Sequence, residues 1–181
     1  MPNSCCPGRK GITLWFTGLP CSGKSAVADR VTDILKSKGF YVERLDGDIV
    51  RQDLTRDLGF SKKDRDENIR RVTFVSKLLT RNGVIVLTSF ISPYKEMRSH
   101  ARTQIGSFLE VYVKCPVGVC MERDVKGMYK KAIKGEIKEF TGVSDPYEEP
   151  ENAELVLETD KETIEESVGK VLTKIEELGF I

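Results

Sequence analysis

The stretch Gly18-Leu19-Pro20-Cys21-Ser22-Gly23-Lys24-Ser25 constrains this chain more than any other, because it fits G-x-x-x-x-G-K-[ST]. It follows the apolar run Ile12 to Phe16. It opens a segment with apolar residues at Ala28, Val31, Ile34 and Leu35, the spacing of a helix, which Gly39 ends. A glycine-bounded loop between strand and helix turns successive backbone amides inward at the positive end of the helix dipole, and so forms a nest for anions. Phosphates fit such a nest: Lys24 can reach their outer oxygens, and the Ser25 hydroxyl can ligate an accompanying magnesium ion.

The rest of the chain alternates strand and helix around this P-loop. Phe40 to Leu45 reads as a strand that delivers Asp46 and Asp48 to its carboxyl end, where α/β sheets place their ligands. Ile49 to Leu58 reads as helical. Ser61 to Asp64 reads as a cap on a longer helix, Arg65 to Arg81, with Ile69, Val72, Val75, Leu78 and Leu79 on one face. Val84 to Phe90 is a buried strand, followed by the turn Ile91-Ser92-Pro93-Tyr94. Helix Lys95 to Ile105, strand Phe108 to Val113, helix Val117 to Arg123, a short strand at Leu155 to Leu157 and a closing helix Lys161 to Leu178 complete the series. The fold class is therefore α/β: a P-loop NTPase three-layer fold with a mainly parallel central sheet and helices on both faces.

Residues 124–150 break the alternation. They hold Lys126, Lys130, Lys131, Lys134 and Lys138 with Gly127, Gly135 and Gly142 and show no apolar stripe, which reads as a mobile lid over the phosphate site. Residues 1–181 suit a single P-loop kinase domain, with residues 1–10 as a flexible N-terminus. Lysines interleave with glutamates at a formal net charge of +1, so no basic stripe for nucleic acid exists. No apolar run has the length of a membrane span and no signal-peptide core is present, so a cytoplasmic location is expected. Five cysteines without a C-x-x-C pair suit free thiols; Cys21, inside the loop beside Lys24, is the one placed for oxidation chemistry.

A P-loop domain with a lid suits a small-molecule kinase. Asp48 can accept the proton of an acceptor hydroxyl or hold a magnesium water, and Arg51 lies one helical turn on, facing the same ligand. Arg65, Arg70 and Arg71 offer further planar donors. Phe60 and Phe140 stand in glycine-flanked, non-periodic settings that suit stacking on a ring or packing onto the core. The single histidine, His100, reads as structural.

Several ordered stretches resemble one family: Leu45-Asp46-Gly47-Asp48 with Val50-Arg51, Asp57 to Ser61, Asp64-Arg65 with Glu67 to Arg71, Leu87 to Tyr94, Arg123 to Gly127, Tyr129 to Ala132, Gly135 to Lys138, Phe140-Thr141-Gly142 and Asp145 to Glu148. They are similar, over nearly the whole chain, to the adenylylsulfate kinases (APS kinases). That family uses ATP and Mg2+ to phosphorylate the 3'-hydroxyl of adenosine 5'-phosphosulfate. The resemblance implies ATP binding by Gly18, Leu19, Pro20, Cys21, Ser22, Gly23, Lys24, Ser25, Ala26 and Arg123, with Ser25 and Asp46 toward the metal. It implies sulfonucleotide binding by Asp48, Arg51, Arg65, Asn68, Ile91, Ser92, Val143 and Ser144. Phe60 and Phe140 would sandwich the adenine, and Lys130 would reach in from the lid. Asp48, Lys24 and Ser92 form the expected catalytic set. Family descriptions name the serine matching Ser92 as a phosphorylated intermediate, but in-line transfer needs no covalent serine. The chain departs from the family at Pro20-Cys21-Ser22 within the loop and at Ile49, where the family has asparagine. The resemblance allows a homodimer. The alternatives are another small P-loop nucleotide or sugar kinase, and a sensing module that binds nucleotide without turnover.

Overall fold

The computed structural model describes residues 10–181; the expected flexible N-terminus, apart from Lys10, lies outside the described residues. Five strands, β1 (Ile12–Thr17), β2 (Val42–Asp46), β3 (Ile85–Ser89), β4 (Phe108–Lys114) and β5 (Leu155–Glu158), form one sheet in the order β2-β3-β1-β4-β5. Every pairing is parallel, with Leu14 of β1 set between Leu87 of β3 and Leu109 of β4. Central β1 is buried at all of its positions because helices cover both faces of the sheet.

The period-2 alternation of β1 sorts its side chains between two cores. Ile12, Leu14 and Phe16 meet Val27, Val31 and Leu35 of α1 (Lys24–Ser37) and Val168, Val171 and Ile175 of α7 (Ile164–Glu177). On the other face Trp15 stacks near Phe90 and Phe108, with ring centroids 6.1 and 5.7 Å away. It packs with Ile69 and Val72 of α3 (Lys62–Arg81) and Met97 and Ala101 of α4 (Lys95–Ile105). Because the strands are parallel, Thr17, Asp46 and Ser89 all emerge at one edge, which is where the site forms.

Three expectations change. The helix expected over Ile49 to Leu58 is only α2 (Gly47–Val50), followed by turns. Thr55 donates its backbone N–H to the Val50 carbonyl at 3.2 Å and so takes that acceptor out of a helix, while Arg51 Nη1 bonds the Leu58 and Gly59 carbonyls. Helix α3 starts at Lys62 because Ser61 Oγ caps the Asp64 amide, but its buried face is Asn68, Ile69, Val72, Thr73, Ser76 and Thr80. Val75, Leu78 and Leu79 are only half-buried. The helix is turned by a close approach to β1: Thr80 Oγ1 lies 2.7 Å from Thr13 Oγ1, and a Cβ at Gly11 would stand 2.1 Å from the Thr80 carbonyl oxygen. His100 is exposed on α4.

Segment 124–150 is more than solvated coil. It contains α6 (Met128–Ile133), and it builds a third core in which Tyr129 and Phe140 pack with Cys115 and with Cys120 of α5 (Val117–Arg123). The missing apolar stripe is explained by this division, since the apolar side chains come from two elements and a turn rather than from one periodic helix.

Candidate active site

The P-loop backbone takes conformations that its residues partly resist. Gly18 has φ +151° and Gly23 φ +97°, and a Cβ on Gly18 would meet the Val113 carbonyl oxygen at 2.4 Å. Cys21, a non-glycine residue, is also left-handed at φ 60°. Gly23 caps α1 without a side-chain hydrogen bond, so the first-turn amides face the cleft. Lys24 folds across the loop, donating to the Gly18 and Leu19 carbonyls at 3.0 and 2.6 Å. It is 8% exposed, and burial lowers its pKa to about 8.

Opposite the loop, β2 ends in the carboxylates the sequence leads one to expect. Asp46 Oδ2 accepts from Ser25 Oγ at 2.7 Å and from Arg44 Nη2 at 3.0 Å, while Oδ1 caps α2 through the Asp48 amide at 3.0 Å. Asp48 turns its side chain into the cleft, where it ion-pairs with Lys126. One cleft of about 1180 Å³ joins these groups to Arg51, Phe60, Arg65, Asn68, Ile91, Ser92 and Phe140.

The residues expected to hold the acceptor are held differently from one another. Phe60 is 61% exposed with the Arg51 guanidinium 4.4 Å from its ring centroid, whereas Phe140 is 9% exposed and edge-on to Tyr129 at 5.0 Å. Burial, with Arg65 close by, lowers the Arg51 pKa. Arg65 is engaged within the protein: it bonds the Phe60 carbonyl at 2.7 Å, Thr141 Oγ1 at 2.6 Å and the Glu139 carbonyl, and pairs with Asp145 at 3.2 Å. Arg70 and Arg71 are paired with Glu67, and Arg71 also with Asp57, away from the cleft wall. Asn68 is buried, and its Oδ1 has no hydrogen-bond partner among the described residues.

Ser92 sits in a closed network. At φ 39°, its Oγ accepts from Trp15 Nε1 at 3.1 Å and donates to Thr17 Oγ1 at 3.0 Å. Thr17 in turn donates to the Ile91 carbonyl and lies 2.9 Å from the Tyr147 hydroxyl. The Ser92 carbonyl accepts from buried Arg98 at 2.7 Å, and Arg98 also bonds the Glu148 carbonyl at 2.6 Å. A hydroxyl already engaged twice and 2% exposed suits positioning better than nucleophilic attack. Ser92→Ala is expected to keep substantial turnover while costing about 1–3 kcal/mol of stability, because Trp15 Nε1 is left unsatisfied. Denaturant unfolding and steady-state rates on one preparation check both parts; a folded but inactive variant overturns the positioning role.

Not every expected residue reaches the cleft wall. Lys130 is exposed on α6, and Lys126 takes the place facing Asp48. Val143 and Ser144 lie in the turn beyond Phe140, where Ser144 Oγ accepts from the Phe140 amide at 3.0 Å. Gly18, Leu19 and Ser22 form the underside of the loop; Pro20, Cys21, Gly23, Lys24, Ser25, Ala26 and Arg123 line the cleft. The sequence reading missed Thr159, Glu162, Thr163 and Ile164, which complete the cleft beyond Arg123. Arg123 Nη2 bonds the Thr159 carbonyl at 2.6 Å, and Thr159 Oγ1 bonds the Ser22 carbonyl at 2.7 Å, tying this wall to the P-loop. The spacing Thr163-x-x-Glu166, a capping box in the structure, was the available signal that a helix begins there.

Known proteins match this arrangement closely. The adenylyl-sulfate kinase of Halothermothrix orenii is 63% identical over 96% of this chain and 94% of its own length. That of Microcystis aeruginosa is 58% identical over 96% of both chains. Among solved structures, the Mycobacterium tuberculosis APS kinase in complex with AMPPNP and APS superposes with a TM-score of 0.90 at 44% identity, covering 93% of this chain and 99% of that one. The family model described as Adenylylsulphate kinase matches residues 10–158, and with these relatives it establishes that the chain belongs to the adenylylsulfate kinase family.

Proposed function

We propose that the protein transfers the γ-phosphoryl group of ATP to the 3'-hydroxyl of adenosine 5'-phosphosulfate, giving 3'-phosphoadenylyl sulfate and ADP. The observation that carries this reading is a single cleft lined both by Lys24 and Ser25 of the P-loop and by Asp48, Arg51 and Phe60. Its volume exceeds what one drug-sized ligand fills, which suits two nucleotides held together. In this reading the 3'-oxygen attacks the γ-phosphorus, the bond from that phosphorus to the β,γ-bridging oxygen breaks, and the hydroxyl proton passes to Asp48. Lys24 and the first-turn amides of α1 hold the donor phosphates. Arg51 faces the acceptor's anionic groups, Phe60 and Phe140 bound its base, and Arg65 braces the two aromatic lips through the Phe60 and Glu139 carbonyls.

Magnesium fits the same site. Mg2+ takes hard oxygen donors, few of them from protein, and Ser25 Oγ with Asp46 offers such a set. When bound, the ion would neutralise charge on the β- and γ-phosphates. Among the described residues no helix is long and apolar enough to cross a membrane. The proposal places the enzyme in the cytoplasm and is compatible with a homodimer.

A panel of acceptors with MgATP, read by ADP release, tests the assignment. Preferred turnover of a sugar or another nucleotide moves the chain to a different kinase activity, and binding without turnover makes it a sensor. The lid lysine gives a narrower expectation. Lys126→Ala should lower kcat/KM for the acceptor about tenfold, the scale of one charge-assisted hydrogen bond, with the KM for ATP nearly unchanged. A larger loss in Lys130→Ala, measured side by side, would return the role to that lysine.

A further inference from the structure

As Asn68 does from α3, Ser89, the last residue of β3, brings an unpartnered side-chain oxygen to the cleft. It is 5% exposed, lines the cleft, and its Oγ has no hydrogen-bond partner among the described residues. A buried hydroxyl without a partner costs stability that an alanine would recover, so its position calls for a ligand.

The sheet register says which ligand. Side chains two apart in a strand share a face, so Ser89 continues the stripe Ile85-Leu87, which packs in the core beneath α1. On the neighbouring strand Val42, Arg44 and Asp46 form the parallel stripe, and Asp46 is the register partner of Ser89. The face is confirmed independently by Arg44, whose Nε reaches Asp29 of α1 at 2.8 Å, and by the 2.7 Å bond from Ser25 at the start of α1 to Asp46. The Ser89 side chain therefore lies on the same side of the sheet as Ser25 and Asp46, next to the carboxylate.

We infer that Ser89 is a positioning oxygen for the hydrated divalent cation that accompanies the donor nucleotide, completing with Ser25 and Asp46 an oxygen cradle below the phosphates. The inference rests on the kinase reading above. Mg2+ dehydrates reluctantly and keeps several waters, so a fixed neutral hydroxyl that accepts a hydrogen bond from one of them orients the ion without adding charge. Arg44 already pairs with Asp46, so the charge of the cation would be balanced mainly by the polyphosphate, and a neutral oxygen suffices at Ser89.

Ser89→Ala tests this without risk to the core, because it deletes one buried oxygen and adds nothing. Titration calorimetry with ADP is run twice on wild type and variant, once with excess Mg2+ and once in EDTA, alongside thermal unfolding without nucleotide. The expected result is a Kd for MgADP raised about 3- to 10-fold, the range for one neutral hydrogen bond, no change for ADP in EDTA, and a Tm equal to or above wild type. An equal loss with and without metal would make Ser89 a phosphate contact and overturn the inference. So would unchanged MgADP affinity, or a lowered Tm, which would mean that the hydroxyl serves the fold. Wild type that fails to bind MgADP at all would sink the kinase reading instead, so the two failures are separable.

Discussion

Asp48→Asn is expected to lower turnover by about 10²- to 10⁴-fold, the usual range for loss of a general base. ATP affinity should change little, since among the described residues the Asp48 carboxylate makes its ion pair with Lys126 and no hydrogen bond to the P-loop. Asparagine keeps the shape and the backbone amide that Asp46 Oδ1 accepts from, so α2 is preserved and a folding defect is not the cause of the loss. What disappears is the capacity to take a proton, together with the negative charge that draws Lys126 down. Single-turnover rates measured with saturating acceptor separate the step from binding. Near-normal chemistry in this variant would remove Asp48 as the acceptor of the proton.

Lys24→Ala is expected to lower kcat by about 10²- to 10³-fold, by analogy with removal of one preorganised donor at developing transition-state charge, and to weaken ATP binding, with acceptor affinity retained. The same lysine sets a pH dependence. Burial lowers its pKa to about 8, and an adjacent polyphosphate favours the ammonium and raises it again. Above pH 8 the free protein therefore holds Lys24 mostly neutral and takes up a proton when ATP binds. ATP affinity should fall as pH rises through that region, by up to about tenfold per unit, and the slope should vanish in Lys24→Ala. Calorimetry in buffers of different ionisation enthalpy counts the proton directly. A binding constant independent of pH between 7 and 9 would show that Lys24 is charged throughout.

Other features owe their legibility to local rules. Gly18 to Ser25 announces its own conformation because only glycine tolerates φ +151° against the Val113 carbonyl and φ +97° at the cap of α1. Ser61 announces the start of α3 because its hydroxyl serves an amide three residues on. The parallel sheet follows from strands that alternate with helices, and the placing of Asp46 and Asp48 follows from the strand they end.

By itself, then, the amino-acid sequence determined the P-loop, the order of strands and helices, the carboxylates at the end of β2 and, through resemblance, the family. Each of these depends on residues near one another along the chain. Tertiary structure alone decided which donors are free. Arg65 looks like an anion binder in sequence, but its guanidinium bonds carbonyls and a carboxylate brought from as far as Asp145. Lys126 and Lys130 are indistinguishable as lid lysines until the α5–α6 turn sets one against Asp48 in the cleft lining and the other outside it. Ser92 and Ser89 are two hydroxyls three residues apart, and they differ only in what the fold brings to them. Trp15 and Thr17 satisfy the first, while the second is left beside Asp46 with no partner among the described residues. Such assignments depend on pairings across more than seventy residues for Ser92 and more than forty for Ser89, and no local pattern encodes them.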